Sequence, residues 1–354
     1  MSLEDLGYND DLEKFRKDQN LDSFDVGRVI SQHKDRYVIK TNEDEFDGEL
    51  VGNLRFNAES KYDFPAVGDW VAFMEYDEGK ALIHAIYPRH TIIERRAVGK
   101  SAHIQIIATN VDFGLIVQAV NRDFNLNRLE RYLTICHASK VNPIIVLSKI
   151  DLINNAELES IMDQVQNRVD EVPVFKVTKE PGGYTPLVES IKPGKTYCLL
   201  GSSGVGKSTL LNHFIGEEKM QTGEISSSVN KGRHITSHRE LIVLKNGGIM
   251  IDNPGMREVG MTETSVGLET TFSEIMKLAN DCRFKDCSHM HEEGCAVIEA
   301  LDNGELDREA YTNFRKLQKE QAHFESDAIA RKKKDKDLGK LIKQVKKQRK
   351  DSKY

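Results

Sequence analysis

Residues 201–208 read Gly-Ser-Ser-Gly-Val-Gly-Lys-Ser and fit the pattern G-x-x-x-x-G-K-[ST] in full. Such a loop works only between a strand and a helix. The flanks suit it: an apolar run, Tyr197 to Leu200, precedes it, and a helical run, Thr209 to Ile215, follows. Gly201, Gly204 and Gly206 let the backbone wrap so that its N–H groups face phosphates, with Ser202, Ser203 and Val205 completing the loop. The helix start adds partial positive charge. Lys207 is placed to neutralise β- and γ-phosphates, Ser208 to offer its hydroxyl to Mg²⁺, and Thr209 to follow them into the helix. The chain must therefore contain a P-loop α/β domain.

Two further motifs lie at the ends of apolar strands. Asp252-Asn253-Pro254-Gly255 is a D-x-x-G that follows the hairpin pattern LIVLK-NGG-IMID. Asp252 can hold the water shell of Mg²⁺, and Gly255 can bring its N–H to a γ-phosphate. Ser148-Lys149-Ile150-Asp151 resembles the guanine-reading N-K-x-D with Ser in place of Asn. Asp151 can accept from guanine N1–H and its 2-amino group. Adenine has no such donor pair and would leave the carboxylate unpaired. Lys149 would lie along the base plane. Strand VPVFKV then delivers Val177-Thr178-Lys179, which resembles the S-A-K loop that backs the base. The order decides the class: the guanine motif and Thr178 come before the P-loop, and D-x-x-G comes after it. This is a circularly permuted GTPase order.

The rest of the chain fits around that domain. A length of 354 residues suggests two or three domains. From Phe24 to Ile86, FDVGRVIS, DRYVIKT, FDGELVG, GDWVAFM and KALIHAI read as five short strands, suiting an OB-fold barrel. Residues 1–22 read as a loose lead-in or a short helix. From Ile104, strands alternate with helices such as LNRLERYLTICHA, whose Leu126, Leu129, Leu133 and Cys136 share a face. A mostly parallel sheet with one antiparallel edge is expected. Beyond about residue 272 the chain turns helical and charged. The expected domains are 1–95, a lead-in plus an OB-fold of a kind that binds RNA or single-stranded nucleic acid but also oligosaccharide; 96–272, the permuted GTPase; and 273–354, an α-helical metal-binding module with a tail.

Three of five cysteines cluster in Cys282-x4-Cys287-Ser288-His289-x5-Cys295. Three thiolates and one imidazole make a closed tetrahedral set suited to one structural Zn²⁺ per chain. His291 competes with His289 for the nitrogen place. Cys136 and Cys198 read as core residues, and Trp70 as core rather than a base-stacking surface. No apolar run approaches the roughly 18 residues that span a bilayer, and the acidic N-terminus is not a secretory signal. A cytoplasmic protein without membrane contact is expected. Residues 331–354 hold 12 Lys/Arg against 3 Asp/Glu, and the remainder carries −15. Nucleic-acid contact is one expectation for this tail, and a solvated end is the other.

Together these features resemble the ribosome small-subunit-dependent GTPase A family, also called RsgA or YjeQ. The resemblance covers roughly residues 24–325. It rests on Gly68-Asp69-Trp70-Val71, the permuted order, Gly232-Arg233-His234 with Thr236, Asp252-Asn253-Pro254-Gly255, and the cysteine cluster. It implies an OB-fold, a permuted GTPase and a zinc module. It also implies GTP hydrolysis to GDP, stimulated by the small (30S) subunit and its rRNA late in that subunit's maturation, by a protein acting as a monomer. The family spacing favours His289 as ligand. The resemblance makes Thr236 the switch threonine, paired with Ser208 on Mg²⁺, and points to His234 as the group that orients water. Three departures stand out: Ser148 for Asn, Ile235 for a second Thr, and a longer tail.

The position after D-x-x-G, often a water-orienting Gln, is Met256. Slow intrinsic hydrolysis is expected, with His238 a competitor of His234. Met256 also keeps open a nucleotide-gated RNA-binding assembly chaperone with incidental turnover. A P-loop ATPase or kinase is disfavoured by Asp151. Asp151→Asn should weaken GTP binding and favour xanthosine nucleotides, whose 2-oxo group accepts what the guanine amino group donates. Competition binding of GTP and XTP checks this, and unchanged GTP affinity would remove Asp151 from the base site.

Overall fold

A computed structural model describes residues 2–96, 104–121, 124–169, 171–216, 239–252 and 265–323. The chain divides into two compact units, residues 1–260 and 261–354. In the first, a single helical turn (Glu4–Leu6) and helix α1 (Asp10–Asp18) precede the barrel. Asn9 caps α1 by accepting from Leu12 N–H, and Asp10, Asp11 and Glu13 complement its dipole. Of the two expectations for the opening residues, the short helix holds, and it is packed and not loose. Leu6 and Leu12 sit in one core cluster with Val26, Trp70, Ala72 and Tyr87 on the outer wall of the barrel.

Five strands follow: β1 (Asp25–His33), β2 (Arg36–Lys40), β3 (Glu45–Leu50), β4 (Trp70–Asp77) and β5 (Lys80–Ile86), with helix α2 (Gly52–Asn57) between β3 and β4. Their order is β1-β2-β3-β5-β4, and β4 pairs back onto β1, which closes the barrel. The interior holds Val29, Tyr37, Ile39, Val71, Phe73, Ala81 and Ile83, as strand alternation requires. These are the five strands expected from sequence. A sixth and seventh, β6 (Ile92–Arg96) and β7 (Ile104–Thr109), pair as a separate two-stranded sheet that the sequence reading did not register.

The α/β part contributes β8 (Phe113–Ala119), helix α3 (Leu126–Ala138), β9 (Asn142–Ser148), α4 (Asn155–Gln166), β10 (Val174–Val177), α5 (Thr185–Ser190), β11 (Thr196–Leu200), α6 (Lys207–Ile215), β12 (Glu240–Val243) and β13 (Ile249–Asp252). Strands β10-β9-β8-β11-β13 are parallel, and β12 runs antiparallel to β13. Alternate residues build two cores. Ile116, Ile145, Cys198 and Ile251 meet Leu129, Leu133 and Cys136 of α3 on one face. Leu115, Val146, Leu199 and Met250 meet Leu210, Leu211 and Phe214 of α6 on the other. The expected antiparallel edge is not an edge. Glu240 of β12 pairs with Ser31 of β1, so barrel and α/β sheet form one eleven-stranded sheet.

That junction is locked by a buried arginine. Arg28 on β1 is 1% exposed, and its guanidinium donates to the carbonyls of Leu6 (2.6 Å), Gly68 (3.1 Å) and Asn110 (3.1 Å). It therefore ties the lead-in, the barrel and the β7–β8 turn to one point, and it lies 5.6 Å from the centre of the Trp70 ring. Burial lowers its pKa to about 10, opposed by Asp112 and Asp69. Gly68 has φ +100°, and a Cβ there would meet Thr109 O at 2.2 Å, so only glycine fits. Asp69, fully buried, receives a two-pronged Arg89 guanidinium at 2.8 and 2.6 Å and the Ala66 N–H at 2.8 Å. The Gly-Asp-Trp segment is thus a structural joint, and Trp70 is core as expected.

The second unit holds helices α7 (Ser265–Thr271), α8 (Ser273–Ala279) and α9 (Ala296–Asp302), then a helix over 308–323. Leu268, Phe272, Ile275, Val297, Leu301, Phe314 and Leu317 form its core. Among the described residues no helix is long and apolar enough to cross a membrane.

Arg28→Ala should lower stability by about 3 kcal/mol or more, because the buried carbonyls of Leu6 and Asn110 lose their donor and that of Gly68 keeps only the Asn110 side-chain amide. Arg28→Lys should recover only part, lacking the planar fork. Urea unfolding followed by the fluorescence of Trp70, the one tryptophan in the chain, checks both. An unshifted midpoint would show the joint to be dispensable.

Candidate nucleotide and metal sites

The parallel strands deliver three loops to one end of the sheet. Strand β11 ends at Leu200 beside Ile116 of β8, and Gly201 follows. A Cβ on Gly201 would meet Val117 O at 2.4 Å, so the chain can turn here only through glycine. Gly206, with φ 101°, is the N-cap of α6 and offers no side-chain cap. The first N–H groups of the helix are therefore left for an anion. Lys207 Nζ curls back onto the loop and donates to Gly201 O (2.7 Å) and Ser202 O (2.6 Å). Burial lowers its pKa to about 8, opposed by buried Asp252 at the end of β13. An incoming phosphate would restore the full charge on Lys207. Ser208 and Thr209 stand in the first turn of α6.

Strand β9 ends at Ser148, and β10 runs parallel with Val177 opposite Ser148. That register sets Thr178 beside the guanine motif. The Thr178 hydroxyl donates to Asp151 Oδ1 at 2.9 Å and so fixes the carboxylate while leaving its other oxygen free for a base. Lys149 takes a left-handed conformation, φ 59°, and its Nζ donates to Gly204 O at 2.7 Å. Buried Ser148 donates to Val205 O at 2.6 Å. The serine that stands for Asn therefore tethers the base loop to the phosphate loop. The structure thus brings Ser148, Lys149, Asp151, Thr178 and the loop 201–209 together, with Asp252 beside Lys207.

Two aromatic contributors escaped the sequence reading. Tyr132 on α3 is buried and places its hydroxyl within hydrogen-bonding reach of the Ser202 side chain. Tyr184 packs against His213 of α6 with ring centres 4.4 Å apart and the planes tilted by 36°, and Asp151 is close enough to add to the rise that burial gives its pKa. Tyr132 lies outside the face formed by Leu126, Leu129, Leu133 and Cys136, and nothing in the helical spacing singled it out. His234, Thr236, His238, Gly255, Met256 and the segment 331–354 lie outside the described residues.

In the second unit, Cys282, Cys287, His289 and Cys295 bring their ligand atoms within 4.8 Å of one another and could hold a metal ion. His289, not His291, fills the nitrogen place: it is buried, whereas His291 is exposed. The loop is built for this. His289 has φ 55°, and Glu292 accepts the N–H groups of Ser288 (2.9 Å), Met290 (2.9 Å) and His291 (3.2 Å). These donors, with the Ser288 hydroxyl, hold the Glu292 carboxyl far below the usual range. From the helix over 308–323, the Tyr311 hydroxyl donates to His289 O and the Arg315 guanidinium to Ser288 O (2.7 Å). Cys136 and Cys198 are fully buried in the sheet core.

Comparison with known proteins agrees with this geometry. The RsgA GTPase family model matches residues 86–262. An ABC transporter model matches residues 184–348, a stretch that contains the phosphate loop common to many nucleotide hydrolases. A protein of Opitutus terrae, named small ribosomal subunit biogenesis GTPase RsgA, is 40% identical over 91% of this chain and 90% of its own length. Its counterpart in Listeria monocytogenes serotype 4b, named RsgA 2, is 42% identical over 95% of this chain and 94% of its own. Among solved structures, YjeQ from Thermotoga maritima superposes with a TM-score of 0.63 at 24% identity, covering 84% of this chain and 98% of that one. YloQ, described as a circularly permuted GTPase, gives 0.61 at 23% identity, covering 85% and 96%. These two likenesses concern the fold. A nucleotide-binding end assembled in permuted order and relatives matched over nine-tenths of their length lead to one conclusion: the chain belongs to the RsgA GTPase family.

Proposed function

We propose that this chain hydrolyses GTP to GDP and phosphate on the small ribosomal subunit during its late maturation. The observation that carries this is the tethering of the guanine-reading loop to the phosphate loop, in a chain whose full-length relatives are named small ribosomal subunit biogenesis GTPases. Asp151, held by Thr178, reads the base, with Ser148 and Lys149 setting its loop. The N–H groups of 201–209 and Lys207 bind the phosphates. Mg²⁺ bound with GTP would supply charge compensation to the phosphates, and Ser208 and Thr236 are the hydroxyls that would hold it. Asp252 would orient the water shell of that ion, Gly255 binds the γ-phosphate, and His234 orients the attacking water. The residues position and stabilise rather than react covalently. Residues 331–354 contact rRNA phosphates through their Lys excess. The protein acts as a cytoplasmic monomer. Its domains are 1–95, 96–272 and 273–354.

The metal of the second unit is one structural Zn²⁺. A tetrahedral zinc with Zn–S of about 2.3 Å and Zn–N of about 2.05 Å has S···S and S···N edges of about 3.8 and 3.5 Å. The Cys282–Cys295 sulfur separation is 3.9 Å, and each of these sulfurs lies 3.5 Å from His289 Nδ1. Four protein ligands leave no open position for chemistry.

GTP turnover by the chain alone should be slow and should rise on purified small subunits. His234→Ala should keep GTP binding and lower stimulated turnover by about 10–1000-fold. Binding of GTP with no stimulation would favour the assembly chaperone, and an unchanged variant would move the role to His238. Metal analysis should find about one zinc per chain, as a closed site implies. Cys282→Ala should release it while GTP binding at the P-loop persists; zinc-free protein after gentle purification would remove the site.

A further inference from the structure

The carboxylate of Asp151 is aimed only as well as the turn that holds it. Thr178 donates to Asp151 Oδ1 at 2.9 Å, and the same hydroxyl accepts from Glu180 N–H at 3.3 Å. The turn over 178–184 therefore sets the carboxylate. Within it, Gly183 N–H donates to Glu180 O at 2.9 Å, and Thr185 N–H donates to Gly182 O at 3.0 Å. Gly183 lies so close to Thr178 that a Cβ there would meet Thr178 O at 2.6 Å. The end of the turn is thus in contact with its start, and a shift at residue 184 is felt at residue 178.

Little else fastens this turn. Lys179, Glu180, Pro181 and Gly182 are exposed. The side chain that next reaches the body of the domain is Tyr184, half-buried against the core of Leu187, Leu210, Leu211 and Phe214. Its ring meets the imidazole of His213, with centres 4.4 Å apart. His213 is exposed on α6, so burial does not explain a ring at that position. The first turn of the same helix carries Lys207, Ser208 and Thr209. The ring pair therefore braces the turn behind Asp151 on the helix that begins at the phosphate loop. This brace is separate from the ties of Ser148 to Val205 and Lys149 to Gly204, which act on the 148–151 loop itself.

We infer that Tyr184 and His213 are positioning residues for guanine recognition: their ring contact holds the 178–184 turn on α6 and so keeps the Thr178 hydroxyl on Asp151. Without the brace the carboxylate loses its aim, and guanine N1–H and the 2-amino group are no longer met together. The inference rests on the guanine-reading role proposed above for Asp151 and names what sets its geometry.

IDP differs from GDP only in lacking the 2-amino group, so the ratio of the two affinities reports the Asp151 contact and not the phosphate loop. Competition of GDP and of IDP against a fluorescent GDP analogue on the full chain gives that ratio. Tyr184→Ala should narrow the preference for GDP about tenfold, the scale of one misplaced hydrogen-bonding group. Tyr184→Phe keeps the ring and should stay within about twofold of the parent. His213→Ala, at an exposed position, should narrow the preference in the same direction, and it decides the matter alone if Tyr184→Ala does not fold. On a Thr178→Ala background, Tyr184→Ala should narrow it no further, because the two act in series. Thermal unfolding of each variant separates a lost fold from a lost aim. An unchanged ratio in His213→Ala, or in a folded Tyr184→Ala of lowered midpoint, would reduce the pair to packing and overturn the inference. So would losses that add to that of Thr178→Ala, or a Tyr184→Phe as impaired as Tyr184→Ala. A parent chain that binds IDP as tightly as GDP would instead overturn the reading of the base site itself.

Discussion

A single guanidinium, that of Arg28, sets the architecture of the first unit. A charge so fully removed from water is tolerated only if each of its nitrogens finds an acceptor. Arg28 spends them on three backbone carbonyls from three segments far apart in sequence, and draws on the fields of Asp69 and Asp112 without a direct ion pair. The lead-in, the barrel and the start of the α/β sheet must therefore adopt one mutual arrangement before the group is satisfied. The Asp69–Arg89 pair beside it works in the same way on a smaller scale. The joint is costly if half made, which makes it specific.

On that joint rests the continuity of the sheet. The barrel and the nucleotide-binding sheet meet through the Ser31–Glu240 pairing, and the Arg239 guanidinium donates to Ile106 O at 2.7 Å close by. Strand β12 thus has the barrel on one side and β13 on the other. An exposed antiparallel edge, a hazard for association in many sheets, is covered here by a domain instead of by charge or proline.

The parts most legible in the sequence were those where one local rule dominates. The five barrel strands and α3 appeared because alternation and helical spacing fix them almost alone. The phosphate loop and the ligand cluster appeared because their chemistry admits few residue types. The hairpin of β6 and β7 did not, since its residues flank a segment without clear periodicity. The reading of β12 as an edge failed for another reason: pairing with β1 is a contact between segments some two hundred residues apart, which no local pattern records. Arg28 was equally silent, because a lone arginine in a strand looks like a solvated side chain until three distant carbonyls converge on it.

The base site shows how a departure from a motif can be absorbed by the fold. Ser148 is shorter than Asn, yet β9 brings it near enough for its hydroxyl to reach Val205 O. Lys149 adds a second tie at Gly204, and Thr178 holds Asp151 from the neighbouring strand. The register of β9 with β10 thus sets the carboxylate, while the two loop ties couple its position to the phosphate loop. The 148–151 loop is thus bonded to the 201–208 loop at two points, so a displacement of one is passed to the other through a connected set of hydrogen bonds. That coupling depends on parallel strand ends meeting at one edge, and not on the order in which the chain visits them. This is why the permutation leaves the nucleotide end intact. It changes only where the chain goes next: β13 carries Asp252, and the second unit, with its Cys₃His cluster, follows only a short stretch of chain later.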